Sequence, residues 1–430
     1  MGILFRNGHG FIEAMFAAAL VGADVVLLNT DFSADALSAA VGAHQINTII
    51  CEPESAEQAR AAGNTVTIVH PAGVTKRGHH SRPPVAAPGQ VIILTAGTTG
   101  APKGVPRTSH FGSTLGLTMT LLDRTRLRTG CRSCLAVPMF HGFGLGQLML
   151  TLALGGTVLT QRRFAAEAAL AQASQYRADA LMVVPVMLAR ILDLPEGVRA
   201  RYPVSSLRVV ILSGARLDPS LAQRFMDNYG DVLYNAYGSS EVGICAFATP
   251  ADLRAAPETV GRPIIGTPVG ILDATGRSVG PHVIGRVFVG GGLPVDTYTG
   301  GGTKDVVDNM TNSGDIGYFD EAGRLFIVGR QDDLIISGGE NVYPRAVENA
   351  LAAHPGVADN AVVGVADEQF GQRLAAFVVP RPNADLDAAA IRKYLKDKVS
   401  RVEQPRDVHI VTTIPRSPLG KVLRNQLPGQ

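Results

Sequence analysis

Tryptophan is absent from the chain, cysteine occurs only four times, and 39 basic side chains almost cancel 37 acidic ones. Each shortage excludes a class of protein. Four thiols (Cys51, Cys131, Cys134 and Cys245) in 430 residues are too few for a disulfide-stapled secreted scaffold and fit a reducing compartment. Cys131-Arg-Ser-Cys134 has no second Cys or His pair nearby to complete a metal site. A net charge of +2 leaves no electrostatic footprint for nucleic acid, so none is expected as a partner. Two apolar runs fall short of a membrane span of about 20 residues: residues 11–28 carry Glu13 and Asp24, and residues 144–159 are too few. Glu13 also falls where the apolar part of a signal peptide would lie. The expected location is cytoplasmic, with peripheral contact to a membrane left open. The oligomeric state is open between monomer and homodimer.

What the chain does have is apolar content, 46% of residues, enough for a large core divided over about two or three domains. Residues 1–50 alternate strand-like and helix-like runs, and further strand patterns at 133–138, 180–184 and 208–212 continue that rhythm, which predicts parallel sheets. Between 258 and 330, short strands separated by glycine-rich turns suggest a small barrel-like subdomain. Beyond Arg330 the pattern changes again, with helices over 344–353 and 387–400 and strands over 360–365, 374–379 and 408–411. The expected fold is α/β: a large N-terminal domain of stacked αβ sheets with a barrel-like subdomain (1–331), then a small mobile α+β C-terminal domain (332–430).

The most informative stretch is Thr95-Ala-Gly-Thr-Thr-Gly-Ala-Pro-Lys-Gly104, after the apolar run Val91-Ile-Ile-Leu94. Gly97, Gly100 and Gly104 let backbone N–H groups approach a ligand closely, while Thr95, Thr98 and Thr99 add hydroxyls and Lys103 adds charge. Such a loop suits a polyphosphate, although it lacks the spacing of a Walker A loop. By itself it reads equally well as a turn after a strand.

Four further stretches follow in order: Asn235-Ala-Tyr-Gly-Ser-Ser-Glu241, Ser313-Gly-Asp-Ile-Gly317, Gly329-Arg-Gln-Asp-Asp333 running into Leu334-Ile-Ile-Ser-Gly-Gly-Glu340, and Pro415-Arg-Ser-Pro-Leu-Gly-Lys421. Together with the glycine loop, this set resembles the adenylate-forming superfamily of acyl- and aryl-CoA synthetases, peptide-synthetase adenylation domains and luciferases, over essentially the whole chain. The resemblance implies ATP-dependent activation of a small-molecule carboxylic acid to acyl-AMP, then transfer to coenzyme A, with Mg²⁺ as the ion.

It also implies roles for particular residues. The glycine loop grips phosphates. Glu241 with Ser240 holds Mg²⁺, an ion that takes one or two carboxylates plus substrate phosphates. Asn235, Ala236 and Tyr237 line the adenine, with Gly214 and Ala215 on its other side, while Gly238 and Ser239 continue the tight turn toward Ser240. Asp315 accepts the ribose hydroxyls, as an acceptor-only carboxylate can, and Arg330 also reaches the ribose. Lys421 enters for adenylation. Asp332 is the hinge about which the C-terminal domain turns, and Gly338 lets the pantetheine chain pass. His141 gates the path between the ATP site and the acid pocket.

Phe143, Leu145, Met187 and Leu188 are apolar where the resemblance places the acyl pocket, which favours a fatty acid. An aryl acid, an acyl-AMP ligase with no CoA step, and a non-catalytic adenylate-binding remnant remain open. Departures from the family pattern are Arg216 in place of a small residue, Ala96 for serine, Gly285-Arg286 for Gly-Glu, and a shorter front end, which would leave an unpaired sheet edge.

Overall fold

The computed structural model describes residues 1–62, 67–69, 89–95, 103–107, 111–239, 242–291, 305–331, 334–337, 340–367, 371–417, 422–423 and 426–427. Four sheets succeed one another along the chain. The first contains β1 (Gly2–Leu4), β2 (Val25–Leu27), β3 (Thr48–Cys51), β4 (Thr67–Val69), β5 (Val91–Thr95) and β6 (Lys103–Arg107), in the order β4-β3-β1-β2-β5-β6. All neighbours are parallel except the β5–β6 pair. β1 is therefore an interior strand paired on both sides, and the expectation of an exposed edge at the front of the chain does not hold for it. Pro106 is tolerated because β6 is an edge strand.

The second sheet contains β7 (Arg132–Leu135), β8 (Thr157–Thr160), β9 (Ala180–Val183), β10 (Val209–Leu212), β11 (Leu233–Ser239), β12 (Gly243–Ala248) and β13 (Arg262–Pro263). The order is β13-β12-β11-β10-β9-β7-β8; the five strands β8, β7, β9, β10 and β11 are parallel, and β12 and β13 are antiparallel. β9 and β10 are buried along their whole length, as strands covered on both faces must be. Helix starts are set by local caps. Ser33 accepts the Ala36 N–H ahead of the Ala34–Ala43 helix, and Asp218 accepts from Ser220 and Leu221 ahead of Pro219–Tyr229, each worth about 1 kcal/mol.

The Gly142–Ala153 helix joins the two sheets. Its Leu148 packs with Ile3, Phe11 and Ile93 of the first layer, and its Leu150 packs in the core of the second. A helix apolar on more than one side is a buried one. Each fully buried large side chain here contributes about 1.5–3 kcal/mol by leaving water.

The expected barrel-like subdomain is an antiparallel five-stranded sheet of β14 (Val269–Leu272), β15 (Gly285–Gly290), β16 (Val306–Val307), β17 (Met310–Phe319) and β18 (Leu325–Arg330), ordered β14-β15-β17-β16 with β18 on β17. The C-terminal unit has β19 (Ile335–Ser337), β20 (Glu340–Val342), β21 (Val357–Asp367), β22 (Gly371–Pro380) and β23 (Asp407–Ile410), with helices Pro344–Ala352 and Ala388–Leu395. The helix expected over 387–400 stops at Leu395. Ser400 instead caps a separate turn, sharing reciprocal hydrogen bonds with Glu403.

Candidate active site

Ligand sites in parallel sheets form beyond the carboxyl ends of the strands, and the predicted residues gather there. Of the predicted residues that are described, His141 follows β7, Gly214 and Ala215 follow β10, and Asn235, Ala236, Tyr237, Gly238 and Ser239 lie on β11; Asn7, from the first sheet, follows β1. The two sheets are tied at this end by one side chain that the sequence did not single out. Asn7, buried, donates to Val137 O at 2.9 Å and accepts the Met139 N–H at 2.8 Å. It thereby fixes the 136–141 segment that leads to His141. Asn7→Ala should lower stability by about 1–3 kcal/mol, because a buried donor and acceptor lose their partner. Denaturant unfolding read beside the rate of acid activation checks this; an unchanged midpoint would remove Asn7 from the argument.

Asp315 is the centre of the assembled part. It lies on β17, directly across from Arg330 on β18, and only 8% of it is exposed. Tyr237 on β11 donates its hydroxyl to Asp315 Oδ2 at 2.5 Å, and Arg330 Nη1 lies 4.0 Å from Asp315 Oδ1. Burial first, then the Asp315 charge, drives the Tyr237 phenol well above its ordinary range, so the hydroxyl stays a donor. Asp315 N–H donates to Ser313 Oγ (3.1 Å), Ser313 Oγ donates to Val287 O (3.0 Å), and Asn312 binds both the Gly314 N–H (2.8 Å) and Gln331 Oε1 (3.0 Å). Gly314 takes φ 83°, and the Arg330 guanidinium passes 3.0 Å from where a Cβ would stand. A side chain there would be strained and would collide with Arg330.

The adenine wall expected from Asn235, Ala236 and Tyr237 is the carboxyl half of β11, with Asn235 and Ala236 buried. Gly214, at φ 86°, and Ala215 follow the adjacent β10, so both sides of the proposed wall come from neighbouring strands. Gly238 is not the turn: it sits at a bulge in the β11–β12 ladder, where a Cβ would meet Gly243 O at 2.0 Å. Ser239 Oγ accepts the Val242 N–H at 3.3 Å, closing the connection that carries residues 240 and 241. β11 and β12 are thus paired antiparallel on either side of residues 240 and 241.

β5 and β6 are likewise an antiparallel pair. Thr95 at the end of β5 pairs with Lys103 at the start of β6. Gly97, Thr98, Thr99, Gly100, Ser240, Glu241, Asp332, Gly338 and Lys421 lie outside the described residues, as do the side chains of Thr95 and Lys103. The magnesium assignment rests on two of these, and among the described residues no group of three His, Cys, Asp or Glu is placed to hold a metal.

His141 N-caps the Gly142–Ala153 helix, and its ring lies 4.7 Å from that of Phe140. Burial pushes its pKa down to about 4, and Nε2 is enclosed without a partner. The imidazole is neutral at working pH, with one buried ring nitrogen left for a ligand. Phe143 and Leu145 are partly exposed on the first turn of the same helix. Met187 and Leu188, expected at the acid pocket, are 7% and 0% exposed inside the core of the second sheet. Both cysteines of Cys131-Arg-Ser-Cys134 are buried, and burial pushes Cys134 up to about 12, the state of an inert structural thiol.

With this geometry in place, the sequence matches the family described as AMP-binding enzyme over residues 1–299 and the AMP-binding enzyme C-terminal domain over 346–421. It is similar to a feruloyl-CoA synthase from Amycolatopsis sp (32% identity, 98% of this chain and 86% of that one). It is also similar to the fatty acid–[acyl-carrier-protein] ligase ScoC from Streptomyces coeruleorubidus (32%, 78% and 66%). Among solved structures, the o-succinylbenzoate CoA synthetase of Bacillus subtilis with its acyl-adenylate intermediate superposes with a TM-score of 0.86 at 26% identity, covering 100% of this chain and 88% of that one.

Proposed function

The chain belongs to the AMP-binding enzyme family of adenylate-forming enzymes, and from that membership we propose that it activates an aromatic carboxylic acid as its acyl-adenylate and passes the acyl group to coenzyme A. The observation that carries the reading is the buried Asp315 carboxylate, held by Tyr237 and facing Arg330, at the edge of the wall formed by β10 and β11. A carboxylate with accepting capacity in that place suits the two hydroxyls of a ribose.

The reaction needs positioning and charge neutralisation more than covalent help. The substrate carboxylate attacks the α-phosphorus of ATP; a P–O bond forms to the carboxylate oxygen as the bond to pyrophosphate breaks. Residues 95–104 hold the β- and γ-phosphates, and Lys421 bridges carboxylate and phosphate oxygens. Glu241 and Ser240 would hold Mg²⁺, which when bound would neutralise phosphate charge. Neutral His141 lies between the nucleotide and the acid and offers Nε2 without carrying charge into the acid pocket. In the second step the thiol of coenzyme A adds to the acyl carbon and AMP leaves. The C-terminal domain turns about Asp332 between the steps, and Gly338 leaves room for the pantetheine arm.

Two points support an aromatic acid. The similar feruloyl-CoA and o-succinylbenzoate enzymes bear the names of aromatic acids. Core packing also consumes Met187 and Leu188, two of the four apolar residues assigned to an alkyl pocket. A fatty acid is the second reading, supported by the similarity to ScoC. Pyrophosphate release measured over a panel of cinnamic, arylacetic, benzoic and medium- to long-chain fatty acids, with ATP and Mg²⁺, tests both. Aromatic acids should give the highest kcat/KM, and CoA should convert the adenylate to thioester. Preference for alkyl acids would replace the first reading by the second. Carboxylate-dependent release from none of the acids would defeat both.

A further inference from the structure

The Pro344–Ala352 helix of the C-terminal domain meets the large domain through charged and polar side chains, at the side where the nucleotide wall lies. Arg216 Nη1 is 3.6 Å from Glu348 Oε2. One residue on, Asn349 Nδ2 donates to Glu258 Oε1 at 2.9 Å. Arg345, a turn earlier on the helix, is held down to about 10, chiefly by burial and then by Arg216, against the opposing charges of Glu258, Glu348 and Asp315. Arg216 is also one of the residues that depart from the family pattern, and it directly follows Gly214 and Ala215.

Two features separate this contact from an ordinary surface ion pair. First, it is unfinished. Arg216 Nε and Nη2 are enclosed and have no hydrogen-bond acceptor, and the Nη1–Glu348 distance is longer than a hydrogen bond. Buried donors without acceptors are uncommon and call for an explanation. Second, carboxylates are already at hand: Arg216 feels Glu348, Asp218 and Glu258, and Arg345 feels Glu258, Glu348 and Asp315. Glu348 Oε1 already accepts the Val362 N–H at 3.2 Å, so the acceptor that completes Arg216 is Glu348 Oε2, moved a fraction of an ångström closer into a charge-assisted hydrogen bond. The cluster touches the nucleotide wall at both ends. Arg216 is continuous with Ala215, and Arg345 feels the ribose carboxylate Asp315.

We propose that Arg216 is a positioning residue whose pair with Glu348 seats the Pro344–Ala352 helix on the nucleotide wall, and that an adenine nucleotide bound there tightens the seat. The proposal rests on the nucleotide site of the preceding section. Linkage then makes the effect reciprocal: whatever nucleotide does for the pair, the pair does for nucleotide affinity.

The test measures AMP binding by calorimetry, and backbone hydrogen exchange of residues 344–352 with and without AMP, in the full chain. The wild type is compared with Arg216→Ala, Glu348→Gln and the exchanged pair Arg216→Glu with Glu348→Arg. Each single variant should bind AMP about 5- to 10-fold more weakly and lose the AMP-dependent protection of the helix. The exchanged pair should recover both, in a coupled cycle. A purely structural role would lower the melting temperature without changing the response to AMP. Single variants that bind AMP as the wild type does, or an exchanged pair no better than the singles, would overturn the proposal while leaving the nucleotide site standing. A wild type that binds no AMP would overturn both.

Discussion

Replacing Asp315 by alanine should raise the KM for ATP about 100-fold, the effect of roughly 3 kcal/mol lost from hydrogen bonds to a charged group. The carboxylate is 8% exposed, meets Tyr237 at 2.5 Å and has Arg330 as its cross-strand neighbour. Its removal takes away the proposed ribose acceptor and also the carboxylate partner of the Tyr237 hydroxyl, which keeps only Ser313, so thermal stability should fall as well. Tyr237→Phe separates the two effects. It keeps the carboxylate and its charge, so its ATP dependence should change much less than that of Asp315→Ala, while the stability loss should be similar. Initial rates of pyrophosphate release against ATP concentration, with a thermal melt of each variant, decide the matter. If Asp315→Ala binds ATP within about threefold of the wild type, a change under about 0.7 kcal/mol, the ribose assignment is lost.

The second large effect concerns Lys421, whose placement rests on the Pro415-Arg-Ser-Pro-Leu-Gly-Lys421 stretch. Charge builds on the α-phosphate and the attacking carboxylate together, and a compact ammonium suits two oxygens that approach one another. Lys421→Ala should slow adenylation on the order of 10²–10³-fold. Thioester formation from acyl-adenylate supplied ready-made should stay close to that of the wild type, because the role proposed for the lysine is confined to the first step. Single-turnover measurements of each half-reaction report this directly. Equal loss in both would mean that Lys421 serves general folding or binding, and the argument for a turning C-terminal domain would lose its support.

How much of this could be read from residues alone follows from the range of the interactions involved. The strands at 180–183 and 209–212 were legible because parallel strands covered on both faces form continuous apolar runs. Asp315 and Arg330 were legible as motif members, and the β17–β18 ladder puts them opposite each other. The hairpin nature of β5–β6 was not legible, since Lys103-Gly-Val-Pro-Arg107 has neither alternation nor strong strand formers. Gly238 looked like a turn because glycine serves turns and bulges alike, and only the ladder distinguishes them. Asn7 and Glu348 left no trace. Asn7 meets Val137 and Met139, 130 and 132 residues away, and Glu348 meets Arg216 across a domain boundary, beyond the reach of any local pattern. Leu188 illustrates the reverse error: an apolar residue near a pocket in sequence belongs to the core when its helix turns it inward.

The pairing of Thr95 with Lys103 has an entropic consequence for the phosphate grip. A flexible loop must lose freedom both to bring its ends together and to settle on its ligand, and the closure part grows with the logarithm of loop length. Here folding of the first sheet has already met the closure cost, because the β5–β6 ladder joins the ends before any nucleotide arrives. A ligand bound between them does not have to bring residues 95 and 103 together. Preorganisation of that kind raises affinity without adding a single contact.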